Sequence, residues 1–156
     1  MPELIDHYFL VDRRDVDFVL GFLDKYLPAR APTSEDYLIT TLDGEVTVDA
    51  KDIMIVLSFY EHNVSAVETI YLENLDNNSL ITHAILTYTD DAKMVLGISV
   101  MGTFNDPYHM RDNLSIFNDI KSYLNAAVAC MTLEEPPPDN SVEFIEFAKQ
   151  REWVGW

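Results

Sequence analysis

Between Ala66 and Met101 the apolar residues fall at alternate positions in successive runs: Ile70 and Leu72, then Leu80, Ala84, Leu86 and Tyr88, then Met94, Leu96, Ile98 and Val100. A period of two places every second side chain on one face of a pleated strand, so the segment predicts a three-stranded meander lying on a core. Asp76-Asn77-Asn78 and Asp90-Asp91 supply its turns, because short polar side chains bond their own backbone there. Matching the apolar faces sets a register in which Thr89 pairs with Lys93 and His83 falls opposite Ser99. The second face then carries Thr69, Tyr71, His83, Thr87 and Ser99 beside Gly97, flanked by Ile81, Ile85, Val95 and Met101. This polar patch is a candidate ligand face, and its bland alternative is a half-solvated or covered sheet face.

Other segments extend the pattern. Leu4 to Val11 reads as a strand. Asp12 or Asp15 then caps a helix whose Val16, Val19, Leu20, Leu23 and Leu27 share one face beside Tyr26, with Pro28 ending it. Residues 28–36 read as loop. Leu38 to Leu42 and Glu45 to Val48 flank Asp43-Gly44, a two-residue hairpin turn. Residues 51–62 suit a buried strand nearly as well as a helix between Asp49 and Asn63; the helix is favoured. Asp106-Pro107 opens a helix, with Asp112 or Asn113 as the alternative cap, and the helix carries Ile116, Phe117, Ile120, Tyr123, Leu124 and Ala127 on one face. Val128 to Leu133 returns as a strand. The triproline 136–138 is an extended loop, and Asn140 with Glu143 caps a last helix bearing Phe144, Ile145, Phe147 and Ala148. The tail Trp153-Val154-Gly155-Trp156 holds both tryptophans and is expected to dock on its own fold, burying at least Trp153, because solvated indoles are costly. The whole reads as one α+β domain over 1–156, a mainly antiparallel sheet of five or six strands with three or four helices packed against it.

The chain carries 27 acidic and 10 basic side chains, a formal net charge of -17, on a sequence that is 48% hydrophobic. Such a content buries a core, so the charge belongs to the surface of a folded body. The basic residues form no stripe, so nucleic acid and anionic membrane are not expected as partners. A basic protein partner fits better, with solubility or a salty cytoplasm as the alternative reason for the acidity. Glu3, Asp6 and His7 interrupt any signal-peptide core, no run is long enough to span a membrane, and Cys130 has no partner for a disulfide. A cytoplasmic location is therefore expected.

Chemistry is sparsely signalled. Gly97-Ile98-Ser99-Val100-Met101-Gly102 has its second glycine one residue late for a nucleophile elbow, and its serine lies in a strand instead of at a sharp turn. No carboxylate on the meander strands orients His83. His7, His62, His83 and His109 are scattered, no metal-ligand spacing occurs, and no glycine-rich loop cradles a phosphate; neither metal nor cofactor is expected. Without a reactive centre, a binding protein is favoured over an enzyme. In size and charge the chain resembles bacterial immunity proteins, which implies a cytoplasmic inhibitor masking a basic partner such as a nuclease-type toxin. Glu134, Glu135 and Asp139, beside the stiff triproline, are the candidate partner-binding residues. The alternatives are a small-ligand binder or hydrolase using the face around His83 and Ser99, and a structural or regulatory homo-oligomer.

Overall fold

In the computed structural model, which describes residues 3–151 and 153–155, the run Leu4–Val11 forms β1, a strand at the heart of an antiparallel sheet. It accepts β7 (Met94–Met101) on one side and β8 (Val128–Thr132) on the other. Its near-continuous apolar sequence follows from burial on both faces. Ile5, Phe9 and Val11 join the larger core, while Tyr8 and Leu10 join a smaller one behind the sheet.

The meander forms as read, with β5 (Glu68–Asn74), β6 (Ile81–Tyr88) and β7 in sequence. One detail differs. A bulge between Ile81 and His83 shifts the pairing, so Ile81 turns into the larger core and Leu80 is left 42% exposed. An inserted residue moves the side chains before it to the other face, which strict alternation cannot foresee.

Two short strands complete the sheet in the order β2-β5-β6-β7-β1-β8-β9. The first, β2 (Arg30–Pro32), lies within the segment read as loop and pairs with β5 through Arg30 opposite Asn74. It is an edge strand ending at a proline, a position where the missing N–H costs nothing. The last, β9 (Trp153–Gly155), pairs its backbone with β8 and so returns the tail to the sheet. The indole of Trp153 and all of Trp156 fall outside what is described, so the expected indole burial does too.

Helices α1 (Val16–Tyr26), α2 (Ile53–His62) and α3 (Pro107–Leu124) cover one face. Asp15 caps α1 by accepting from the Phe18 N–H, and Asp106 caps α3 by accepting from Tyr108 and His109 with Pro107 at the first position. The residues read as a helix over a close strand alternative are helical after a 3-10 turn at Ala50–Asp52. Val56, Leu57 and Tyr60 recur at helical spacing toward the core, and Asn63 ends the helix. The hairpin of β3 (Asp36–Thr41) and β4 (Gly44–Asp49) forms a separate pair. Thr41 pairs with Gly44, so the turn is Leu42-Asp43, one residue before the expected dipeptide. The positive φ lies at Gly44, 114°, after the central pair, where a mirror-image two-residue turn would need it at the first central residue, Leu42. Helix α4 (Ser141–Lys149) packs alone on the opposite face through Phe144 and Ala148.

Candidate functional site

Because α4 shields only part of the second sheet face, the remainder is open. At the boundary the Tyr8 ring lies flat over Gly97, where an added Cβ would sit 2.8 Å from a ring carbon. Glycine is needed at that position for this close approach. Thus held, the Tyr8 hydroxyl lies 2.8 Å from the Glu135 carbonyl and 3.3 Å from Asp6 Oδ2. A phenol has one proton to donate, and the shorter contact takes it. Asp6 Oδ1 accepts the Ser99 hydroxyl proton at 2.6 Å. Asp6 Oδ2 is therefore left without a full donor of its own.

Asp6 borders a groove of about 350 Å³ whose other walls include Tyr8, Tyr71, His83, Ser99 and Glu134. No lysine or arginine lines it. Among the described residues Asp6 is the one buried carboxylate, 7% exposed, and no cationic group forms an ion pair with it. Burial pushes its carboxyl above the usual range and the Glu134 charge adds to this, while the Ser99 and Tyr8 hydrogen bonds and the field of His83 pull the other way. Tyr8 is likewise raised by burial.

His83 pairs with Ser99 across β6 and β7, as the register implied, yet the two side chains share no hydrogen bond. The bulge instead brings His83 Nδ1 to 3.0 Å from the Thr82 hydroxyl, which gives its own proton to the Ser99 carbonyl at 3.2 Å. In a nucleophile relay the serine proton points at an imidazole held by a carboxylate; here it points at the carboxylate itself.

The structure merges two patches that the sequence kept apart. Tyr71, His83 and Ser99 of the polar face share the groove with Glu134 of the acidic segment. Thr69 and Thr87 lie together but outside its lining, 3.3 Å between their hydroxyl oxygens. Glu134 sits at φ 50°, a left-handed conformation unusual for a residue with a Cβ. Glu135 turns elsewhere, accepting from Thr132 at 2.9 Å and from Arg151 at 2.6 Å. Asp139 is exposed and its carbonyl accepts the Asp90 N–H. Asp6 was missed as a site residue, although its signal was present: a carboxylate inside an apolar strand, two residues from a tyrosine on the same face.

Among the described residues no three His, Cys, Asp or Glu side chains are grouped to hold a metal ion, and no helix is long and apolar enough to cross a membrane. Burial raises the Cys130 thiol to about 12, far from a reactive thiolate.

Fold and groove together define a small α+β protein with an antiparallel sheet, helices on both faces and an acidic groove behind the sheet. No family model matches the chain, and no curated protein matches it. Among solved structures it is similar in fold to a chain of the crystal structure of the toxic C-terminal tip of CdiA from Pseudomonas aeruginosa in complex with immune protein. The TM-score is 0.52 at 15% identity, over 99% of this chain and 95% of that one.

Proposed function

We propose that this chain is a non-enzymatic, immunity-type binding module that masks a basic protein partner in the cytoplasm. The observation that carries the reading is where its charge lies. All the described carboxylates except Asp6 are exposed or half-exposed, and much of the scarce positive charge is already engaged. Arg13, Arg30 and Arg151 pair with Asp15, Asp24 and Glu135, and Arg14 is buried among backbone carbonyls. The remaining field is strongly negative, which accelerates encounter with a basic surface and disfavours nucleic acid. A fold shared with a chain from a toxin–immune protein complex supports the same reading. The face assigned to the partner is the groove with the adjoining Glu134-Glu135 and Asp139 segment, the latter presented on a stiff proline run whose ordering cost on binding is low.

The test is capture of partners from the native host at about 50 and 500 mM salt, followed by co-expression of each captured protein with and without this chain. The reading expects a basic protein that is released at the higher salt and whose toxicity this chain suppresses. Capture of no basic protein, or a captured toxin that stays fully active beside this chain, would overturn it. Ester hydrolysis abolished by Ser99→Ala would instead assign the groove to an enzyme.

A further inference from the structure

We propose that the groove behind the sheet is a receptor for a single arginine side chain of the partner, with Asp6 at its floor and Glu134 at its rim. The inference rests on the binding-module reading and names the group recognised at that face. Burying a carboxylate is costly unless a cation or enough hydrogen bonds compensate it. Asp6 accepts firmly from Ser99 and only at 3.3 Å from Tyr8, whose single proton is shared with the nearer Glu135 carbonyl. That weakly compensated carboxylate belongs to a groove whose lining carries no lysine or arginine. A charge kept in that condition fits a cation that arrives from outside.

Two features select a guanidinium over an ammonium. Tyr71, on the groove wall, is 44% exposed, and an aromatic side chain there suits stacking by a planar cation. Asp6 and Glu134 place acceptors at two points, which a fork of five donors satisfies better than a point charge. Leu4, Ile85 and Pro136 complete the lining and suit an aliphatic stem.

The experiment uses the full chain and two small probes, N-acetyl-arginine methylamide and N-acetyl-lysine methylamide, titrated while amide and side-chain NMR shifts are followed. The arginine probe is expected to move resonances of Asp6, Tyr71, His83 and Ser99, with the lysine probe several-fold weaker. Asp6→Asn, close to isosteric, is expected to weaken the arginine probe by at least about tenfold, and Glu134→Gln by a smaller factor at unchanged spectra elsewhere. Equal response to both probes, or unchanged binding in Asp6→Asn and Glu134→Gln, would overturn the assignment. Should Asp6→Asn not fold, Glu134→Gln and the probe comparison decide alone. A captured basic partner whose affinity ignores both substitutions would refute the arginine receptor while leaving the binding-module reading intact. Probe binding at Asp6 in a chain that captures no basic protein would do the reverse.

Discussion

Protonating His7 is opposed by everything around it. The ring is fully buried against Phe117, and Nε2 lies 2.7 Å from the Asn113 amide oxygen. The Asn113 amide nitrogen already donates to the Met101 and His109 carbonyls. Its oxygen must therefore accept, which fixes the proton of neutral His7 on Nε2 and leaves Nδ1 unprotonated. Burial lowers the imidazole from 6.5 to about 4. The unfolded chain thus binds the extra proton first, and stability is lost as pH falls from about 6.5 to 4, at up to about 1.4 kcal/mol per pH unit. Asp6 has the opposite sign: raised by burial, it favours the fold at acid pH and opposes it once ionised. Two expectations follow, both checked by thermal melts against pH. His7→Gln should flatten the limb between pH 6.5 and 4. Asp6→Asn should raise the midpoint at pH 7 while weakening the arginine probe; a lower midpoint at pH 7 with the fold intact would show that the Asp6 charge serves stability. Asp6 and His7 are adjacent in sequence and point to opposite faces, so the strand pattern announced both burials. Which burial was structural and which was an open carboxylate depended on Asn113 and Glu134, each more than a hundred residues away, and no local pattern reports that.

Among the elements, legibility tracked regular burial. The meander, α1 and α3 alternate or repeat over enough residues for period and caps to agree. Failures came where one residue broke the rhythm or the element was too short to have one. The bulge exchanged Leu80 for Ile81, Leu42 occupied a turn tip where a polar residue was expected, and β2 offered only three residues, Arg30 to Pro32, just after Pro28. The C-terminal region shows how such short elements still matter. All five residues of β8 are buried, and β9 covers the outer edge through the Ala129–Gly155, Cys130–Val154 and Met131–Trp153 pairs. Just before it, the Arg151 guanidinium lies 3.8 Å from the centre of the Phe147 ring while binding Glu135, tying α4 to the segment that forms the groove rim. Deleting residues 153–156 should remove a net stabilisation on the order of 2 kcal/mol, taking about 1 per lost backbone bond. For a chain of this length that is a fall of roughly 4–8 °C in thermal midpoint. It should also promote self-association through the uncovered edge. A truncated chain that melts unchanged would mean that β9 adds nothing to the fold.

Over the whole molecule, the same charge acts on folding and on association with opposite dependence on salt. A net charge of -17 repels itself in the compact state. The ion pairs that could offset this are largely exposed, as in Arg13–Asp15 with side chains 62% and 36% accessible, and such pairs contribute little. Screening therefore removes more repulsion than attraction, given a Debye length of about 10 Å at 0.1 M. The thermal midpoint should rise by a few degrees between about 20 and 500 mM sodium chloride and then level off, since beyond that range little repulsion is left to screen. Binding to a basic partner should weaken over the same interval, chiefly through a slower association rate. The pair of slopes separates the two explanations of the acidity. A chain adapted to a salty interior would keep gaining stability into molar salt and have no partner to lose, whereas an electrostatic inhibitor reaches its stability plateau where its affinity has already fallen. Melting curves and stopped-flow association on one salt series measure both slopes, and a midpoint still climbing steeply above about 1 M would count against the inhibitor.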